Sequence, residues 1–261
     1  MAKRSPLAEK LDEIRDRIAK AAAKAKREPS EVTLVAVTKS AAPEQIREIV
    51  QLGVTDLGES RVQVLTQRAA QMNEQLQRRM THGSDAASGK APEKVRWHMI
   101  GHLQRNKVKA VLPLVALVHS IDSLRLAEEI DGHAAKLGRK VPVLMQVNAG
   151  EEPQKYGVAV GAAVHLAEQI DSMPNLQLVG LMTMAPLEAP EAKVRQAFSR
   201  TREIFEEMKW HKIGGAGLRH LSMGMSNDFE MAIAEGATMV RVGSLLFGGK
   251  VQDHEMMDDE G

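Results

Sequence analysis

No cysteine occurs in the 261 residues, which excludes disulfides and thiolate-held metals and fits a reducing compartment. Aromatic residues are scarce at 3%, too few for the stacking platform that binds single-stranded nucleic acid. Neither sign of charge is in surplus. Lys+Arg number 35 against 34 Asp+Glu, for a net +1, so no global field recruits nucleic acid or an anionic membrane. No apolar run approaches the length of a membrane span, and the stretch from Met1 to Pro6 lacks the apolar core of a secretion signal. These absences predict a soluble, cytoplasmic protein without nucleic-acid or membrane partners. What is present, 43% hydrophobic and 26% charged residues, is ordinary for a globular chain able to bury a sizeable core.

The chain is organised around Val32-Thr-Leu-Val-Ala-Val-Thr-Lys39, β-branched and apolar residues that deliver a lysine. Such a run, followed by Ser40-Ala-Ala-Pro43, predicts a strand buried on both faces and then a helix start. Alternation puts Lys39 on the face of Val37, Val35 and Thr33. An amine held there is desolvated and becomes a carbonyl nucleophile able to form a Schiff base. The competing account is a strand-end lysine snorkelling to water.

Similar strands follow at 53–59, 95–101, 117–121, 141–148, 176–183, 218–222 and 238–243, with helical spacing between them. A helix precedes the first strand, opened by Ser5-Pro6 and carrying Leu7, Leu11, Ile14 and Ile18. A helix rich in Lys and Arg is expected after the third strand, and the helix after the fourth is expected to bury Leu126, Ile130, Ala134 and Leu137. A small-residue loop is expected from Thr81 to Glu93, and an acidic, frayed tail over 250–261. Strands alternating with helices imply an α/β fold with a parallel sheet, and eight units match a single (β/α)8 TIM-type barrel over 1–249. An open doubly wound sheet is the alternative, although no G-x-G-x-x-G follows the first strand.

In such a barrel function gathers at the carboxyl ends of the strands. Those ends read Lys39, Glu59-Ser60, His98 to Gly101, Asn148, Thr183, Ser222-Met-Gly224 and Arg241-Val-Gly243-Ser244. A lysine, an arginine, glycines and hydroxyls without a cluster of acids suit an anion better than a metal. Loops after the seventh and eighth strands commonly form a phosphate cup, and Ser222-Met-Gly-Met-Ser226 with Gly243-Ser244 are small enough to let backbone approach one. Each half alone is equally a plain turn. A reactive lysine facing a phosphate cup describes a pyridoxal 5'-phosphate site. Arg241 points into the mouth, either against that cofactor's ring nitrogen or satisfied by carboxylates. An arginine does not give up its proton, so it would leave the ring a weak electron sink.

These residues resemble a known family, the pyridoxal phosphate homeostasis proteins, whose barrel is similar to the N-terminal domain of alanine racemase. The stretch Trp97-His-Met-Ile-Gly-His-Leu-Gln-Arg-Asn-Lys107 reproduces the family's W-H-x-I-G-x-L-Q-x-N-K signature. Val35-Ala-Val-Thr-Lys39, Asn148 through Lys155-Tyr-Gly157, Gly180-Leu-Met-Thr-Met184, Leu221 to Asp228 and Met239 to Ser244 match in the same order. The resemblance implies that Lys39 forms the internal aldimine, that Ser222, Met223, Gly243 and Ser244 lie around the phosphate, and that Arg241 faces the ring nitrogen. Ser60, Asn148 and Met182 are further cofactor-contact candidates. Lys155 is either a contact of a second cofactor molecule or a surface lysine, and His98 reads as a core histidine without a role. The family's usual Gly-Glu-Asn is here Gly58-Glu59-Ser60, which puts any contact of that asparagine in doubt.

The resemblance implies a monomeric, non-catalytic carrier or regulator in cofactor homeostasis that acts on amino-acid and keto-acid metabolism indirectly. Its partners would be the cofactor and the apo-enzymes that receive it, with no metal. The rival is an amino-acid racemase on the same cofactor. Racemisation needs a second base, a tyrosine in alanine racemase, and the one tyrosine here is Tyr156, in mid-chain.

Overall fold

The computed structural model describes residues 4–82 and 94–248. Eight parallel strands close into a barrel in chain order, β1 through β8, with β8 paired back onto β1. They are β1 (Thr33–Val37), β2 (Asp56–Glu59), β3 (Arg96–Met99), β4 (Val115–Ile121), β5 (Val141–Gln146), β6 (Leu176–Met182), β7 (His220–Ser222) and β8 (Met239–Val242). Helices alternate with them on the outside: α1 (Pro6–Lys24) before the barrel, then α2 (Pro43–Gln51), α3 (Val62–His82), α4 (Val108–Val111), α5 (Leu124–Lys136), α6 (Ala163–Asp171), α7 (Glu191–Trp210), α8 (Phe229–Ala234) and α9 (Ser244–Phe247). The expected α/β barrel with a leading helix is the architecture observed, and the open sheet is excluded by the β1–β8 pairing.

The apolar side chains fall into two compartments because strand residues alternate in direction. The outer one lies between sheet and helices and takes Ala36, Leu57, Met99, Val118, Val143, Leu181 and Val240. The inner one fills the barrel with Val35, Leu117, Leu144, Val179, Met182 and Met239. Barrel interiors are usually stacked with branched apolar residues. This one also holds a buried polar set that includes Asp56, His98, His119, Ser222 and Arg241.

Helix α1 begins where Ser5 caps it, accepting a hydrogen bond from Ala8 N at 3.1 Å. It buries Leu7, Leu11, Ile14 and Ile18. Arg17 extends from α1 to Glu230 of α8 at 2.7 Å and lies over the Phe229 ring. Three expectations need correction. Leu137 caps α5 and is exposed rather than core. The basic segment after β3 forms only a 3-10 turn and the four-residue α4, with Pro113 just beyond it. The loop expected from Thr81 loses its first two residues to α3, and the rest of it, like the acidic tail, lies outside the described residues.

Candidate functional site

Lys39 sits two residues past the end of β1, in the turn Thr38–Ala41 closed by Ala41 N on Thr38 O at 2.7 Å. It is exposed, and among the described residues its side chain makes no hydrogen bond or ion pair. Of the two sequence readings, desolvation is therefore corrected and the strand-end lysine reaching water is the one observed. The turn carries Lys39 off the strand before its amine is enclosed, and the lysine stands free at the barrel mouth.

The turn itself is held from below. Thr38 N donates to Gly58 O at 2.9 Å, and Thr38 Oγ1 donates to Glu59 Oε2 at 2.9 Å. Glu59 is 1% exposed and pairs with Arg68 of α3 at 2.7 Å, and Arg68 also donates to the carbonyls of Thr38 and Ala41. One buried carboxylate and one guanidinium thus fix the backbone on both sides of Lys39.

Arg241 lies on the opposite strand of the barrel seam. The β1–β8 register pairs Val35 with Arg241 and Ala36 with Val242, which brings Gly243 beside the end of β1. A Cβ at Gly243 would fall 3.0 Å from Val37 O, so a side chain there would push the seam apart. Arg241 is buried and has no carboxylate within ion-pair distance among the described residues. Its Nη1 donates to Ser222 O and Ser222 Oγ, both at 2.7 Å, and its Nη2 to Thr183 O at 2.9 Å. Of the two sequence readings of this arginine, satisfaction by carboxylates is excluded. Three of its five N–H donors are in use. Burial pulls its pKa down to about 10, partly offset by Asp228, and it remains a cation at neutral pH.

Ser222 faces inward, and its hydroxyl is engaged with Arg241 and with His119 Nδ1, at 2.9 Å. Met223 therefore faces outward. Its side chain is fully buried in the outer core and its N–H donates to Met239 O at 3.1 Å. Met223 thus follows directly on the end of β7 while its side chain is turned away from the mouth. Gly243 and Ser244 remain there, and Ser244 and Leu245 open α9, where the first N–H groups have no intrahelical acceptor. Asn148 has a structural task in the ligand-free fold. Its side-chain amide closes its own loop, donating to Glu152 O at 2.7 Å and accepting from Glu152 N at 3.2 Å. Met182 lies in the inner apolar cluster beneath the mouth. Ser60 presses on the signature glycine, since a Cβ at Gly101 would meet Ser60 O at 2.2 Å. Lys155 is tied to Glu152 at 2.6 Å and to Ala185 O at 3.0 Å.

The histidine given no role is central to the interior. His98 Nε2 lies 3.0 Å from Asp56 Oδ1 and His98 Nδ1 lies 2.9 Å from His119 Nε2. Asp56 and His119 were not singled out in the sequence, although strand parity on β2 and β4 places both inside. Burial raises the Asp56 carboxyl, but hydrogen bonds from His98 and Arg96 outweigh it and bring the pKa down to about 2. Burial holds His119 well below the usual histidine range, with the nearby His98 and Arg241 acting the same way.

Beyond the mouth, a cleft of about 640 Å³ runs between the β3–α4 segment and α5, lined by Gln104, Arg105, Asn106 and Arg125 among others. On its rim the His102 and Tyr156 rings stack with centroids 3.9 Å apart. Among the described residues no group of three histidines or acids could hold a metal, and no helix is long and apolar enough to cross a membrane.

The family described as alanine racemase, N-terminal domain, matches residues 10–251. A pyridoxal phosphate homeostasis protein of Aquifex aeolicus is 39% identical over 92% of this chain and 96% of its own length. One from Pseudomonas aeruginosa is 34% identical over 94% of this chain and 96% of its own. Among solved structures, PipY of Synechococcus elongatus with pyridoxal phosphate bound superimposes with a TM-score of 0.76 at 32% identity, covering 93% of this chain and all of PipY.

Proposed function

The chain belongs to the pyridoxal phosphate homeostasis proteins, within the alanine racemase N-terminal domain family, and from that membership we propose that it binds pyridoxal 5'-phosphate at the barrel mouth and keeps it available without turning over a substrate. PipY, a relative with that cofactor bound, supports the ligand. The homeostasis name is shared by relatives matched along nearly their whole length, and the racemase alternative is not favoured.

The residues of the mouth fit the group. Arg241 is the observation that carries the reading: a buried guanidinium that, among the described residues, has no carboxylate within ion-pair distance, only the more distant Asp228, and leaves two N–H donors unused. A buried cation is costly unless something compensates it, and an electron-rich ring nitrogen would accept one of those donors. Lys39 offers an unpartnered amine for covalent attachment, and the N–H groups of Ser244 and Leu245 would hold the phosphate, with Gly243 keeping the seam tight. Bound there, the cofactor would supply an aldehyde that takes an amine covalently and a ring that can withdraw electrons. Arg241 stays protonated and hands no proton to the ring, so it would hold the cofactor as a weak electron sink. That favours storage and hand-over to apo-enzymes above chemistry on an amino acid.

The first test is an absorbance spectrum with added pyridoxal 5'-phosphate for wild type and Lys39→Ala, followed by a panel of amino acids monitored for chirality. A visible band that needs Lys39, with every amino acid unchanged, is expected. Racemised product would make the protein an enzyme, and no band in wild type would remove the cofactor.

A further inference from the structure

The polar groups inside the barrel form one continuous chain: Asp56 on β2, His98 on β3, His119 on β4, Ser222 on β7 and Arg241 on β8. Each link is 3.0 Å or shorter, and every member is buried. Its direction follows from counting protons. Asp56 is ionised and accepts, so His98 must carry its proton on Nε2. A neutral His98 then presents a bare Nδ1, which takes the proton on His119 Nε2. His119 is left with a bare Nδ1, which takes the Ser222 hydroxyl proton. The Ser222 oxygen thereby turns its lone pairs to Arg241 Nη1. The reverse direction fails on two counts. It makes His98 a buried imidazolium in the same interior as Arg241, with only His119 and Ser222 between them, and it leaves the Ser222 proton without an acceptor among the described residues.

We infer that Asp56, His98 and His119 are positioning residues: the charge on Asp56 sets both histidine tautomers, these fix the Ser222 hydroxyl as an acceptor, and that acceptor holds the Arg241 guanidinium in its place at the mouth. The inference rests on the reading of Arg241 given under Proposed function for its consequence, but not for its geometry. Among the described residues no carboxylate is hydrogen-bonded to Arg241, so its orientation depends on carbonyls and on this one hydroxyl. A buried chain in which each link pairs one donor with one acceptor is also rigid. The W-H dipeptide of the signature then has a task, because His98 is the link between the anion on β2 and the rest.

Nitrogen-15 spectra of the histidines in the ligand-free protein test the relay without any variant or cofactor. At neutral pH both His98 and His119 should show a protonated Nε2 and a bare, hydrogen-bonded Nδ1. An imidazolium at either ring, or a proton on His119 Nδ1, overturns the inference. Asp56→Asn is close to isosteric and touches neither His119 nor Arg241. It should nevertheless shift the His119 ring nitrogens and broaden the Arg241 Nη signals, whereas a purely structural role of Asp56 would leave both in place. In a titration with pyridoxal 5'-phosphate, Asp56→Asn should keep the Lys39-dependent band with half-saturation about tenfold higher, the scale of one charged hydrogen bond. Unchanged half-saturation overturns the positioning role. If wild type itself shows no Lys39-dependent band, the cofactor reading falls while the ligand-free spectra still decide the relay.

Discussion

His119 is enclosed on every side, and its ring must give up any proton it carries in the unfolded chain. The folded value lies below the ordinary one, so below about pH 6.5 the unfolded state binds more protons. Stability from this group is complete above that pH and is lost as pH falls, with a limiting slope of about 1.4 kcal/mol per unit. His220 at the start of β7 acts in the same direction, because burial and then Arg219 bring its pKa down to about 4. Urea midpoints should therefore fall steadily from pH 7 to pH 4, and His119→Asn should flatten the upper part of that fall. A flat profile in wild type would mean that His119 is not held neutral. At this scale the sequence was half legible. Strand parity puts Ser222 inward and Met223 outward, yet the expectation placed both at the mouth. Parity does not say which inward residues meet: Ser222 lies 103 positions from His119, and only barrel closure brings them together.

Among the elements, α3 does more than cover β2. Arg68 binds the buried Glu59 and both carbonyls that flank the Lys39 turn. Replacing it by methionine keeps the stem but leaves Glu59 without its counter-ion. Breaking a buried pair in this way costs about 3–5 kcal/mol. Arg68→Met should lower the unfolding free energy by an amount near the lower figure, since Arg68 is partly exposed, and should loosen the turn. Denaturant titration reads the first effect, and hydrogen exchange at Ala41 N–H the second. Protected exchange in the variant would show that the strand alone holds the turn. The elements were largely legible because apolar runs mark strands buried on both faces. Several strand ends were read one or more residues long, the start of β4 was read two residues short, and α4 was read as a longer helix because basic residues there suit a solvated face as well as a 3-10 turn. Exposure of Lys39 was one of the two accounts the sequence left open, and it could not be decided there, since the turn after Val37 depends on Glu59 and Arg68, which contact it only in the fold.

For the molecule as a whole, α1 is a stave added outside the eight-unit cycle. It packs against α8, α9 and α2, next to the seam where β8 meets β1. Its four large apolar side chains Leu7, Leu11, Ile14 and Ile18 are buried, worth about 6–12 kcal/mol together at roughly 1.5–3 kcal/mol each. Total stability of a folded domain is only about 5–15 kcal/mol. A chain lacking residues 1–27 should therefore lose cooperative thermal unfolding and bind an apolar dye, and a sharp calorimetric transition in that chain would contradict this.

The interior hydrogen-bonded chain also bears on whether such a barrel can be divided. It links β2, β3 and β4 to β7 and β8 through no side chain of β5 or β6, although Arg241 also reaches the Thr183 carbonyl just past β6. A fragment ending after β4 would carry Asp56, His98 and His119 with no hydroxyl to close on, and the complementary fragment would carry Arg241 beside a serine with no imidazole. Neither half offers the other a finished, dry face. The two halves of this barrel are not interchangeable modules, and gene fusions or swaps of half-barrels should fail at this seam unless the polar residues on both sides are exchanged together.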